Sequence, residues 1–372
     1  MNSEKKKIKA PAFHVEKREG ISFRKACAIR ATAVVLSLIV CAIVIVLITG
    51  QNPLEVYGGI IDGAVGTSRR FWVTVRETVI LLLIAVGLVP VFRMKFWNIG
   101  AEGQILMGAT ASAALMIYIK DSIPNFLLIL IIMIGGMVVG MLWAFIPAFF
   151  KANYNTNETL FTLMMNYIAM QIVNCLIVIW ENPVGSNTVG IINGATKAGW
   201  FPSIFGNAYA LNIIITLVAT VCISVYMKMD KHGYEIDVVG AGTRTALYAG
   251  INVKKVICRT MMLSGALCGL AGSVIVSGAS HTISTSTAGG RGFTAIIVAW
   301  MSKFNPIAML AISAFLSFMQ QGAIQIASQF GLNENASDII TGILLFFLIG
   351  CEFFINYRME RTDRGDTEDK AS

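Results

Sequence analysis

The sequence predicts an all-α integral membrane protein of about ten transmembrane or half-crossing helices. Three observations predict it. Hydrophobic residues make up 56% of the 372 and charged residues only 13%, with a mean hydropathy of +0.70; a water-soluble domain carries roughly 25% charged residues. Apolar runs near the 20-residue length of a membrane span recur from end to end. Finally, 23 of the 29 Lys and Arg fall in alternate connections, the asymmetry expected when basic loops stay on the cytoplasmic side.

The elements follow in order. A basic cytoplasmic tail, 1–26, precedes a first span over about 27–49. That run ends at ITGQNPLE with no small-x-small cleavage site, so it reads as a retained span and not a signal peptide. Further runs cover about 74–92, 98–119, 126–150, 159–180, 208–229, 256–279, 292–302, 305–329 and 339–357, completing a membrane domain over 27–357 with a cytoplasmic tail, 358–372. Two runs are irregular. The run 74–92 contains Gly87 and Pro90 and reads as a broken helix. The run Phe293–Met301 reaches only about 14 Å at 1.5 Å per residue, too short to cross alone. With both termini cytoplasmic, the Gly/Asn/Pro-rich loop 181–207 lies outside and the basic region 230–255 lies inside.

The same numbers exclude several functions. The net charge of +8 follows from topology, and the bases are not interleaved with aromatics as in a nucleic-acid groove. Seven scattered cysteines and three distant histidines suggest neither disulfide framework, metal site nor catalytic cluster. The extramembrane pieces are too small for a core of their own. No G-x-x-x-x-G-K-[ST] occurs; its nearest imitation, GAGTRTA at 240–246, lacks the lysine. Any ATP-hydrolysing or solute-capturing domain is therefore expected on a separate chain.

Four segments carry chemistry. In KFWNIGAEGQ, Asn98 is placed to cap a helix beginning at Ile99, with Glu102 near its positive end and Gln104 beside it. This is either a polar hinge beside a translocation path or an interfacial cap with Glu102 paired to a neighbour. In 232–256, Thr243 is placed to cap a two-turn helix that Gly250 ends. The helix offers Ala246, Leu247 and Tyr248 to a partner groove, or lies on lipid headgroups. In LSGALCGLAG, Gly265, Gly269 and Gly272 suit close helix packing. In GGRGFTAIIVAW, glycines precede the short helix that starts near Phe293, on the outer side, and Arg291 is either a gate or a snorkelling base. Amides within other spans, among them Asn166, Gln321 and Gln325, suit a neutral hydrogen-bonding solute and equally suit interhelical bonding. The candidate pathway is thus Asn98, Glu102, Gln104, Asn166, Phe293, Gln321 and Gln325.

Four blocks in order, TGQNPLEVYGGIIDGAVGT (49–67), FWNIGAEGQILMGA (96–109), VVGAGTRTALYAGINVKKV with LSGALCGLAG (238–272) and GGRGFTAIIVAW…NP (289–306), make the chain resemble a bacterial ABC-transporter permease. The group is the one importing nucleosides and simple sugars, related to branched-chain amino-acid and ribose permeases. The first two blocks look most like the longer permease chain of guanosine- or uridine-type systems. The resemblance implies a type II importer fold in the bacterial cytoplasmic membrane. It implies an ATPase-coupling region carrying Gly240, Thr243, Thr245, Ala246, Leu247, Tyr248 and Gly250. It further implies a second permease chain in a heterodimer, an extracellular lipoprotein or periplasmic binding protein, and ATP and magnesium held by the partner ATPase, with no cofactor on this chain. The implied function is nucleoside import by alternating access, without enzymatic activity. A ribose-like sugar permease and an ion-coupled secondary transporter are the alternatives.

Overall fold

The computed structural model describes residues 13–18, 21–50, 52–204, 206–331 and 334–361. All ten expected apolar runs are helices, and among the described residues seven are long and apolar enough to cross a membrane. The chain divides into two compact units, 1–63 with 322–372, and 64–321.

The larger unit contains α3 (Ser68–Arg93), α4 (Ala101–Ile119), α5 (Asn125–Tyr154), α6 (Glu158–Trp180), α7 (Ala210–Met229), α8 (Lys231–Ala241), α9 (Thr243–Tyr248), α10 (Val253–Ile275) and α11 (Arg291–Met301). Its centre is a seam of small residues. A Cβ on Gly269 of α10 would overlap the Gly136 carbonyl of α5, and one on Gly265 would overlap Gly140 and Ala144. Gly272 meets the Ile105 carbonyl of α4 in the same way. Without side chains at these points the backbones of α4, α5 and α10 come into direct contact, the packing lipid-embedded helices favour. The Ser112 and Ser273 hydroxyls close the seam with a 2.8 Å bond between α4 and α10.

One expectation needs correction: α3 is not broken at Gly87 or Pro90 but runs unbroken to Arg93. Pro90 stands in the last turn, where its missing N–H spares only one carbonyl its partner. Gly87 serves packing, since a Cβ there would lie 2.9 Å from the Leu267 Cβ. The loop residues 181–204 form a folded cap on the helix ends opposite Arg93. Gly199 N–H donates to Asn125 Oδ1 (2.7 Å), Asn193 donates to the Met116 carbonyl (2.8 Å), and the Trp200 ring stacks on His281 at 3.7 Å.

In the smaller unit, α1 (Phe23–Thr49) and α13 (Glu334–Asn356) pack antiparallel through Ala26, Ala33, Cys351 and Ile355, with an Arg30–Glu352 ion pair at 2.6 Å. A helix not anticipated from the sequence, α2 (Pro53–Val65), belongs to this unit up to Gly63 and buries Val56 and Ile60 there, with Ala64 on the same stripe. The tails also do more than trail: β1 (Phe13–Lys17) pairs antiparallel with β2 (Tyr357–Arg361), Phe13 opposite Arg361.

Candidate functional site

The site starts where the chain leaves α3. Lys95 takes a left-handed conformation (φ 60°) and Phe96 N–H returns to the Val91 carbonyl at 3.1 Å, which closes the helix end. The sequence reading placed the next helix start at Ile99 under an Asn98 cap. The helix instead starts at Ala101, because Asn98 Oδ1 accepts from Gly100 N–H (2.9 Å) in a tight side-chain turn. Capping comes from α6. Asn166 Oδ1 accepts from Gly103 N–H (2.9 Å), Asn166 Nδ2 donates to the Ile99 carbonyl (3.0 Å), and Thr162 Oγ1 accepts from Ile99 N–H (3.2 Å). The Gln104 amide faces Asn98 at 3.4 Å. These groups are spent on backbone or on one another, as buried polar groups must be.

Glu102 is 3% exposed, and its carboxylate holds the start of α11. Oε1 accepts from Gly290 N–H at 2.7 Å and Oε2 from Gly292 N–H at 2.8 Å. A helix N-terminus offers free N–H groups and partial positive charge, so a carboxylate there satisfies both. Gly292 has to be glycine, since a Cβ would stand 2.5 Å from the Glu102 backbone nitrogen. Between these two glycines, Arg291 reaches Glu77 of α3 (Nη2 2.7 Å, Nε 3.0 Å), and Arg76 binds the other Glu77 oxygen at 2.7 Å. Arg76 also lies 5.1 Å over the Tyr209 ring.

Glu77 precedes Arg93 by sixteen residues of continuous helix, a rise of about 24 Å. One Arg291 side chain links Glu77 to the helix start that Glu102 holds, so α11 begins between α3 and α4. At its other end Trp300 stacks on Trp97 (5.3 Å between centroids) and touches Phe92 of α3. Phe293 is partly exposed on the first turn of α11.

The structure therefore brings Asn98, Glu102, Gln104 and Asn166 together. Gln321 and Gln325, one turn apart on α12 (Pro306–Gln329), are half-buried, and among the described residues neither makes a hydrogen bond. Sequence reasoning missed the pairing of Arg76, Glu77 and Arg291, whose members stand up to 215 positions apart, and the support from Thr162. The available signal was Thr162 one turn before Asn166, on the same face. Among the described residues no three His, Cys, Asp or Glu side chains gather as a metal site.

The 230–255 region forms α8 and α9 under the Arg93 end of α3. Asp237 pairs with Arg93 at 2.5 Å, and Gly240 lies against the Arg93 carbonyl. Burial pushes the Asp237 carboxyl up, against the opposing pull of Arg93. His232 is buried, its Nε2 3.2 Å from Thr260 Oγ1, and burial holds its pKa below the ordinary value. Thr243 does not cap α9. Gly242 is the cap residue and Thr243 the first helical one, while Gly250 (φ 75°) ends the turn as expected. Ala246 also departs from expectation: it is buried inward, leaving Leu247 (61% exposed) and Tyr248 (94% exposed) as the outward apolar surface.

Helices long and apolar enough to cross a membrane carry this site, and comparison identifies the family. Residues 71–349 match the family model described as branched-chain amino acid transport system / permease component. The chain is 29% identical over 328 residues to the nucleoside ABC transporter permease protein NupB of Lactococcus lactis, covering 86% of this chain and 89% of that one. It is 28% identical over 319 residues to the guanosine ABC transporter permease protein NupP of Bacillus subtilis (85% and 91%), and 25% identical over 322 residues to a glucose ABC transporter permease protein of Haloferax volcanii (83% of each). No solved structure matches. The chain belongs to the branched-chain amino acid transport system permease family: it is a multi-pass membrane transport component, not an enzyme.

Proposed function

We propose that the chain is the membrane-spanning permease of an ATP-driven nucleoside importer, working by alternating access with a separate ATPase that holds ATP and magnesium. The observation that carries the reading is the exposed pair Leu247 and Tyr248 on a six-residue helix, α9, set on α8, which is itself ion-paired to the end of α3. A knob of this kind transmits a push from a docked partner to the helix bundle. The intramembrane carboxylates support an external drive: Glu77 and Glu102 are each committed to arginines or helix N–H groups, a poor arrangement for a proton relay. The nucleoside assignment is supported by the two nucleoside-type relatives.

The remaining parts of the reading are a second permease chain, a solute-binding protein on the face away from α9, and both termini in the cytoplasm. The amides and Glu102 frame the path and do not contact the solute as free charges. The glucose permease relative favours a second reading, a simple-sugar importer. Uptake by cells expressing the full transporter, with labelled guanosine competed by uridine, ribose and glucose, separates the two. Competition by nucleosides alone supports the first reading, and competition by free sugars alone replaces it. Uptake that survives ATP depletion but collapses with an uncoupler would refute ATP coupling.

A further inference from the structure

Between α1 and α13 lies a groove of about 640 Å³ walled by Ala28, Ile29, Thr32, Leu36, Phe347 and Phe354. Its α1 wall runs from Ala28 to Leu36, a rise of about 12 Å, most of the ~15 Å depth of one leaflet's hydrocarbon. The Thr32 hydroxyl is turned onto the Ala28 carbonyl of its own helix at 2.9 Å, so the wall presents methyl groups. At one end stands Arg18. Its Nε is buried yet, among the described residues, has no hydrogen-bond partner. The neighbouring Arg30 is already used by Glu352 at 2.6 Å. Arg24 and Lys25, exposed on the first turn of α1, add positive charge at the same end.

An apolar channel spanning most of a leaflet's depth that ends at a guanidinium with an unpartnered Nε has the chemistry of a lipid site: acyl chain along the helices, anionic headgroup at the base. Basic pockets between membrane helices take acidic lipid headgroups in this way. We infer that the α1–α13 groove binds one anionic phospholipid, with its phosphate on Arg18 and an acyl chain between Leu36 and Phe354. A buried Nε would then gain the acceptor it lacks, and the groove would be filled from the surrounding leaflet.

The test uses the full transporter in nanodiscs of phosphatidylcholine containing a minor fraction of phosphatidylglycerol, with retained lipid counted by native mass spectrometry after detergent extraction. The wild type should retain phosphatidylglycerol in excess of its share. Arg18→Gln should reduce that excess about fivefold, the weight of one basic residue at an acidic headgroup, and Arg18→Lys should preserve most of it. Ala28→Trp, which leaves Arg18 intact and fills an exposed part of the wall, should lower retention of both lipids. Equal retention of the two lipids by the wild type, unchanged selectivity in Arg18→Gln, or displacement of the lipid by inorganic phosphate alone would each overturn the proposal.

Discussion

Replacing Glu102 by Gln tests whether its carboxylate is what holds α11. Both oxygens now accept from backbone N–H groups, at 2.7 Å from Gly290 and 2.8 Å from Gly292. A glutamine keeps one acceptor and turns an NH₂ toward the other glycine, donor against donor. A charge-assisted bond contributes about 1.5–3 kcal/mol, and a buried N–H left without an acceptor costs about 1–3 kcal/mol. Loss of one bond, with loss of the carboxylate charge opposite the helix dipole, therefore weakens the start of α11 by about 3 kcal/mol. At about 1.4 kcal/mol per tenfold, local opening becomes roughly 100-fold more frequent. Amide hydrogen exchange read on peptides covering 286–294 measures that opening. Peptides at the start of α10, where Asn252 caps Lys255 N–H, are the internal control and should not change. If 286–294 kept wild-type protection in Glu102→Gln, the carboxylate would not be the clamp, and the central role given to Glu102 would fall.

Four other perturbations have defined outcomes. Gly269→Ala drives a methyl into the Gly136 carbonyl and should cost about 3 kcal/mol, whereas Gly58→Ala, with nothing within 4 Å of its Cβ on α2, should gain about 0.5–1 kcal/mol; thermal unfolding in detergent ranks the two. Leu247→Asp with Tyr248→Asp should leave membrane insertion unchanged and lower solute-stimulated ATP hydrolysis of the complete transporter at least tenfold, since exposed apolar anchors dominate docking energy. His232 has a folded pKa depressed by burial, so the unfolded chain binds the extra proton first. Stability should be full above an unfolded pKa of about 6.5 and fall as pH drops through the lower folded value, a dependence that His232→Gln should flatten. A Ser112→Cys/Ser273→Cys disulfide, replacing a 2.8 Å contact between α4 and α10, should leave transport intact; transport lost on oxidation and regained on reduction would show that the seam moves.

The helices were legible because lipid demands long apolar runs and internal backbone pairing, and all ten runs appear close to their expected places. Gly265, Gly269 and Gly272 were legible for the same reason, since small residues at helical spacing have few uses other than close approach. The Glu102 region was legible as an anomaly but not in its solution. Its partners Gly290 and Gly292 lie almost 190 positions away, and neither periodicity nor capping rules reach across such a gap. Asn98 misled because an Asx turn and an N-cap use the same side-chain oxygen. The α2 helix was missed because its buried stripe of Val56, Ile60 and Ala64 is interrupted by Gly58, Gly59 and Asp62, a composition closer to a loop than to a span. The strand pairing of the tails joins segments more than 300 residues apart and leaves no local trace.

The two kinds of contact in the larger unit divide it into a part built to stay and a part able to move. Where α4, α5 and α10 meet, backbone lies on backbone at Gly136, Gly140, Gly265 and Gly269. Sliding one helix there would drive a bulkier neighbour into a space that admits only hydrogen, and packed interfaces of that kind are bistable at best. α11 is held differently. Besides the close packing of Gly292, Ala295, Val298 and Ala299, two N–H bonds to Glu102, an ion pair from Arg291 to Glu77 and one tryptophan stack hold it at its ends, and the polar ones among these can be exchanged for another polar partner or for water. In the proposed mechanism, a push delivered at α9 passes through α8 to the Arg93–Asp237 pair at the foot of α3. The same helix carries Glu77, so tilting α3 loads the Arg291 ion pair before it strains the glycine seam. On that proposal, the displacement that opens a path falls on α11 and its polar clamp, with the three-helix seam as the frame against which it moves.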